Sequence, residues 1–213
     1  MRFRDRTAGG RELARLLAKY RGSDALVLAI PAGGVPVGAA ISAPLGLPLE
    51  VAPVSKVLFP WTTESGYGAV AFDGSVWLDQ AAIERFGLTP SQVEKATAEA
   101  RAKVQRRSTK LRVGKLDIAG RTVILVDDGI AAGSTMRTAI AALRRQAVGK
   151  AVVAVPTAHA NAFAAISALA DDAQCPDLRA GPRFAVAEAY EQWRDLSDDE
   201  IAAILENRGQ API

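Results

Sequence analysis

The sequence predicts an α/β fold with a mostly parallel central sheet flanked by helices. Three observations carry that expectation. Short apolar runs recur at Ala25–Ile30, Thr122–Val126 and Ala151–Val155, with the length and character of strands covered on both faces. Segments of helical spacing separate them, which is the alternation of βαβ units. The first two runs lead straight into glycine-rich loops, the place where parallel sheets hold ligands.

Each element follows in turn. Gly10–Tyr20 puts Leu13, Leu16, Leu17 and Tyr20 on one helical face. Ala25–Ile30 is the first strand and enters the tight loop Pro31-Ala32-Gly33-Gly34. Val35–Ala43 is expected to be a helix ending before Pro44. Leu49–Leu58 is a second strand, with Lys56 near its end. Phe59–Asp79 carries several glycines and short β-prone pieces, and Asp73-Gly74 is a hairpin signal. The expectation there is a flexible hairpin flap spanning about residues 57–80. Ser91–Arg107 is a polar helix, with Ser91 and Glu94 spaced as a capping box. Strand Thr122–Val126, helix Ser134–Gln146, strand Ala151–Val155, and helices Asn161–Leu169 and Asp198–Glu206 complete the pattern.

The chain has 213 residues, of which 49% are hydrophobic and 6% aromatic. This is enough for one domain with a core built mainly from Ala, Val, Leu and Ile. The net charge of +3 gives no basic arm, so nucleic acid is not an expected partner. The group Arg101, Lys103, Arg106, Arg107 and Lys110 reads as a solvated helix face. Cys175 is the sole cysteine, which rules out an intrachain disulfide. No apolar run has the length of a membrane span, and the first residues lack the apolar stretch of a signal peptide. The expected compartment is the cytoplasm.

The chemistry concentrates in Val123–Met136, VILVDDGIAAGSTM. Asp127 and Asp128 stand at the end of a strand. Gly129, Ile130, Ala131, Ala132 and Gly133 follow, and their small side chains let backbone N–H groups approach an anion. Ser134 and Thr135 add hydroxyls where a helix begins, and the helix start adds partial positive charge. A carboxylate only accepts hydrogen bonds, so the acidic pair would repel phosphate but suits vicinal ribose hydroxyls. Hydroxyls at one end and phosphate at the other describe a ribose 5-phosphate. The Gly-Lys-Ser/Thr of a Walker loop is absent, and the acidic pair precedes the glycines, unlike a dinucleotide fingerprint.

VILVDDGIAAGSTM resembles the phosphoribosyl-diphosphate signature of the type I phosphoribosyltransferases. FRDRTAGGRELA, AIPAGGVPVG, VSKV, SGYGAV and FAVAEAYEQWRDLSDDEIAAIL extend the resemblance over nearly the whole chain, to a bacterial subgroup of uncertain substrate. The resemblance implies a Rossmann-like core over about 20–170 and a small hood from the N-terminal residues and about 175–213. It implies magnesium-dependent transfer of ribose 5-phosphate from phosphoribosyl diphosphate to a nitrogenous base or related amine, within nucleotide metabolism. The metal would be held mainly by substrate and water, and a homodimer is common in such proteins. The alternative is a regulatory protein that binds phosphoribosyl diphosphate or nucleotides without turnover.

Residue by residue, the resemblance places pyrophosphate on Pro31, Ala32, Gly33 and Gly34, with Lys56 near the diphosphate. Similar proteins carry an arginine where this chain has Ala32, so one positive charge is missing from that loop. Tyr67 falls in the segment matching the catalytic flap, beside Glu64 and Ser65, and Asp127 and Asp128 would steady the ribose as positive charge develops. His159 reads as a loop histidine beside the acceptor pocket. Phe184, Tyr190 and Trp193 belong to the hood, either stacking on an acceptor or packing the hood down. Trp61 has no assigned role.

Overall fold

The computed structural model describes residues 2–63, 65–181 and 184–207. The chain opens with helix α1 (Arg6–Leu16), strand β1 (Leu26–Ala29), helix α2 (Gly34–Leu45) and strand β2 (Leu49–Val51). Strands β3 (Ser55–Leu58), β4 (Gly66–Val70) and β5 (Val76–Leu78) follow, then helices α3 (Gln80–Arg85) and α4 (Pro90–Lys110). The second half holds β6 (Thr122–Val126), α5 (Ser134–Arg145), β7 (Lys150–Ala154), β8 (Thr157–His159) and α6 (Ala160–Ser167). It ends with β9 (Asp172–Gln174), β10 (Asp177–Arg179) and α7 (Asp198–Glu206).

Five strands form the central sheet in the order β2-β1-β6-β7-β9, and every pairing is parallel. The period of two divides their side chains between two cores. Leu26, Leu28, Val123, Leu125, Ala151 and Val153 face one way, onto Met136, Ile140 and Leu143 of α5. Val27, Ala29, Ile124, Val126, Val152 and Ala154 face the other, onto Leu13 and Leu17, Val37 and Ile41 of α2, and Ile201 and Leu205 of α7. Burying each of the Val, Leu, Ile and Met side chains among these contributes roughly 1.5–3 kcal/mol, so both sheet faces are strongly committed.

Several expectations shift. Helix α1 starts at Arg6, not Gly10, because the Asp5 side chain caps it by accepting from the Ala8 N–H at 2.8 Å. Gly9 and Gly10 are tolerated inside it because the helix packs so closely. A Cβ on Gly10 would lie 2.6 Å from the Val37 carbonyl oxygen. Pro44 lies within the last turn of α2, which Gly46 ends in the left-handed conformation (φ 65°). Helix α4 begins ahead of Ser91: Thr89 and Gln92 form its capping box and Pro90 takes the first position.

The predicted strand Leu49–Leu58 is two strands. The Ala52 N–H still reaches the Ala29 carbonyl at 2.9 Å, but Pro53 has no N–H to continue the ladder. The chain then leaves the central sheet, and β3 pairs antiparallel with β4, which pairs with β5. Lys56 therefore stands on this second sheet rather than at the end of a core strand.

The expected hairpin is present as β4 and β5, and β3 joins it in a second sheet that packs onto the helices. Val57, Tyr67 and Val70 pack against Leu88, Ala100 and Val104, while Ala69 and Ala71 join the main core. The Asp73-Gly74 turn is present, between β4 and β5. Glu64 lies outside the described residues.

Candidate functional site

The sheet order creates the site. From β1 the chain crosses outward to β2 on one side, and from β6 it crosses to β7 on the other. The loops after β1 and β6 therefore diverge over a crevice at the carboxyl ends of neighbouring strands, where doubly wound sheets bind ligands. Pro31–Gly34 is one wall and Asp127–Gly133 the other.

The walls nearly touch. A Cβ on Gly33 would fall 1.8 Å from Asp128 Oδ2, and one on Gly34 would fall 2.7 Å from the Val126 carbonyl oxygen. Glycine is required at both positions by space, since Gly33 has an ordinary helical φ of −64°. The Pro31–Ala32 peptide is cis. Within this loop the Gly34 N–H is spent on Ile30 and the Val35 N–H on Ala32.

The two carboxylates have different surroundings. Asp127 Oδ1 accepts the Asp128 N–H at 2.8 Å. Burial pushes the Asp127 carboxyl well above the usual carboxylate range, the neighbouring Asp128 charge pushes it further, and Lys56 pulls slightly the other way. Lys56 thus approaches the acidic pair from the second sheet. Asp128 Oδ2 accepts from Arg6 Nε at 2.8 Å, with those side chains only 15% and 10% exposed. Arg6 also donates to the Arg194 carbonyl and stacks 3.9 Å from the Trp193 ring centre. The Tyr190 hydroxyl donates to the Asp128 carbonyl at 2.6 Å.

Along the second wall the donors sort themselves. The Ile130 N–H is taken by the Thr157 carbonyl at 3.1 Å and its side chain is buried, so Ile130 anchors the loop and offers no donor to a ligand. Gly129 passes beneath the tail, where a Cβ would meet Val186 at 2.6 Å. Among the described residues, no hydrogen bond takes up the N–H groups of Ala131, Ala132 and Gly133. Gly133 (φ 84°) caps α5 without a side-chain bond, which leaves the first N–H groups of that helix open. The Ser134 and Thr135 hydroxyls stand beside them, half-buried. Open N–H groups and hydroxyls at a helix start are the kind of donors that suit an anion.

Tyr67 is not brought to the crevice wall. It is 2% exposed, its ring lies 5.1 Å from that of Phe59, and its buried hydroxyl has no hydrogen-bond partner among the described residues. His159 stands at the start of α6 without a side-chain capping bond; its Nε2 lies 3.0 Å from the Gly181 carbonyl, with Phe184 edge-on at 6.1 Å. Burial pushes the Cys175 thiol up to about 12, which keeps it unreactive at neutral pH. Trp61 is 59% exposed and stacks on Phe59.

Two side chains at the crevice carry no distinguishing signal in the sequence. Arg6 belongs to the segment FRDR, but nothing local ties it to a residue 122 positions away. Arg107 reads in sequence as part of a solvated face. Instead it is half-buried, with Nε donating to Asp198 at 3.0 Å and Nη1 to the Pro31 carbonyl at 3.3 Å. Lys110, one turn further, pairs with Asp199.

The protein thus has a doubly wound sheet with an acidic pair and a small-residue loop at one strand end, and a glycine loop facing them from the neighbouring strand. Residues 69–188 match the family model described as a phosphoribosyl transferase domain, and the chain belongs to that family. The match begins in β4 and takes in the acidic pair and its loop. The Mycobacterium tuberculosis protein named "Putative phosphoribosyl transferase Rv0571c" is 34% identical over 209 residues, 96% of this chain and 46% of that protein. The chain thus spans about half the length of that relative. The protein TT1426 from Thermus thermophilus is 33% identical with a TM-score of 0.78, over 96% of this chain and 98% of that one. A purine phosphoribosyltransferase from Pyrococcus horikoshii is more distant, at 14% identity and a TM-score of 0.46 over 89% and 90% of the two chains. No helix among the described residues is long and apolar enough to cross a membrane.

Proposed function

We propose that the protein transfers ribose 5-phosphate from phosphoribosyl diphosphate to a nitrogenous base or related amine, releasing pyrophosphate. The observation that carries this reading is the order along one wall: two carboxylates, then unspent N–H groups of Ala131, Ala132 and Gly133 at a helix start. Phosphate suits the N–H groups and the Ser134 and Thr135 hydroxyls, while the ribose hydroxyls suit Asp127 and Asp128 as acceptors.

In the reaction, an acceptor nitrogen forms a bond to the anomeric carbon as the bond from that carbon to the diphosphate oxygen breaks. The electron pair leaves with pyrophosphate. Positive charge develops on the sugar ring, and fixed carboxylates beside it lower the cost of that charge. Asp127 and Asp128 contribute hard oxygen donors, but no group of three or more acidic, His or Cys side chains gathers among the described residues. That donor set fits a magnesium ion held chiefly by substrate and water, which when bound neutralises the leaving group. The acceptor class rests on family membership alone.

The test is titration calorimetry with phosphoribosyl diphosphate and magnesium, followed by a pyrophosphate-release assay against a panel of bases. Binding with release on one acceptor supports the reading, and no binding at millimolar ligand removes it. One observation favours a second reading, a ligand-sensing protein without turnover. The Asp128 carboxylate is already engaged by Arg6, and the glycine loop holds no cation of its own. Tight binding without release on any acceptor would establish that alternative.

A further inference from the structure

We infer that Arg107 supplies the positive charge of the first loop and binds the diphosphate end of the substrate, an inference that rests on the proposed reading of the crevice. The loop Pro31-Ala32-Gly33-Gly34 has no polar side chain. Pro31 has no N–H, and the Gly34 and Val35 N–H groups are spent within the loop and its helix start. Two backbone donors, on Ala32 and Gly33, are left to face a multiply charged group. That is a weak site by itself, because hydrogen bonds from ionised donors are roughly twice as strong as those from neutral ones.

Arg107 brings a cation to this loop, through Nη1 to the Pro31 carbonyl at 3.3 Å. Arg6 is committed to Asp128 on the opposite wall, and Lys56 acts on Asp127. The Arg107 side chain is 22% exposed. Helix α4 and the α7 start therefore hold it at the crevice rather than letting it sweep through solvent. Its Nε is tied to Asp198, and the same two helices are joined again by Lys110 and Asp199. The planar guanidinium has five N–H donors in a fixed fork. Two are used by Asp198 and Pro31, which leaves donors on the terminal nitrogens for phosphate oxygens.

Asp198 is replaceable at its own end. It is one of three acidic residues in the first turn of α7, beside Asp199 and Glu200, and Ser197 already caps that helix. An incoming diphosphate therefore competes with Asp198 for Arg107 without uncapping α7. In chemical terms, Arg107 does from another helix what an arginine at position 32 would do from within the loop.

The experiment titrates the full chain with magnesium pyrophosphate, phosphoribosyl diphosphate and ribose 5-phosphate separately. Arg107→Gln is expected to weaken both diphosphate ligands about tenfold, as befits losing one charge-assisted contact, and to change ribose 5-phosphate by less than about twofold. Arg107→Lys should recover part of the loss. Asp198→Asn breaks the same ion pair but keeps the cation, so pyrophosphate should bind at least as tightly as to the unaltered protein. Equal weakening in Arg107→Gln and Asp198→Asn would mean that only the docking of α7 matters and would overturn the assignment. So would pyrophosphate binding that ignores Arg107, or no pyrophosphate binding to the unaltered protein. If pyrophosphate depends on Arg107 while ribose 5-phosphate does not bind at all, the transferase reading falls and Arg107 stands as a pyrophosphate ligand.

Discussion

Arg6 and Asp128 join the first residues of the chain to the acidic pair, with 2.8 Å between Nε and Oδ2. The pair is sheltered by the Trp193 ring, 3.9 Å from the guanidinium carbon. The hood is fastened to the site at the same place: the Phe3 N–H donates to Ala189, and the Glu191 and Gln192 N–H groups donate back to Phe3 and Arg4. One carboxylate of the site is therefore also a structural anchor for both ends of the described chain.

Arg6→Gln should destabilise the protein by about 2–4 kcal/mol, because truncating one partner strands a largely buried carboxylate. Urea denaturation measures it. Arg6→Lys should recover only part of this, since an ammonium cannot reproduce both the fork to Asp128 and Arg194 and the stacking on Trp193. The double variant with Asp128→Asn should be less destabilised than the two single changes added together. Strict additivity would show that the contact carries no energy.

Asp127→Asn is expected to separate stability from binding. Burial and the Asp128 charge raise the folded-state pKa of Asp127 above its unfolded value. Ionising it at neutral pH therefore costs the folded state stability, and the cost disappears as pH falls below the unfolded pKa near 4. The asparagine can still accept the Asp128 N–H but carries no charge. Thermal unfolding at pH 7.5 should occur a few degrees higher than in the unaltered protein, with the gap closing at about pH 4. Binding of phosphoribosyl diphosphate should fall sharply in the same variant. A lower melting temperature at pH 7.5 would show that ionised Asp127 is a net stabiliser.

The parts of the fold that one segment determines were legible. Strand β6 matches Thr122–Val126 and α7 matches Asp198–Glu206 because caps, apolar runs and helix signals agree there. The acidic pair and its loop were legible for the same reason. What escaped depends on distant contacts. Gly9 and Gly10 argue locally against a helix, yet α1 needs them to lie close to α2 and Pro156. Pro53 was the local cue that Leu49–Leu58 divides, and the apolar residues around it masked that cue. Residues 157–159 and 172–179 are too short to stand out as strands, and the pairing of β8 with β10 depends on tertiary placement. Arg107 looked like its exposed neighbours Arg101, Lys103 and Arg106, because nothing in sequence places α7 against that face.

Ala32→Arg tests the glycine loop directly. Ala32 is half-buried and packs against the core beneath α2, so a long side chain must leave through the crevice mouth. Pyrophosphate binding should strengthen by about tenfold if the new guanidinium reaches the ligand, measured by calorimetry. In the Arg107→Gln background the same change should restore much of the lost affinity. A cooperative unfolding transition equal to that of the unaltered protein should accompany it. Loss of folding would mean that Ala32 is too enclosed for any arginine, and unchanged affinity would place the diphosphate elsewhere.

Tyr67→Phe distinguishes a core residue from a catalytic flap residue. The Tyr67 hydroxyl is buried with no partner among the described residues, and burial raises its pKa above the usual tyrosine value. Its ring packs in the cluster of Val57, Val70, Leu88, Ala100 and Val104. Removing the hydroxyl keeps that packing and eliminates an unsatisfied polar group, whose burial typically costs about 1–3 kcal/mol. The variant should be as stable as the unaltered protein or more stable by about 1 kcal/mol, with ligand affinity and pyrophosphate release unchanged. Tyr67→Ala, by contrast, should cost about 3–5 kcal/mol through the cavity it leaves. If Tyr67→Phe keeps full stability and ligand affinity but slows pyrophosphate release tenfold or more, the hydroxyl takes part in the reaction. The second sheet must then open to deliver it.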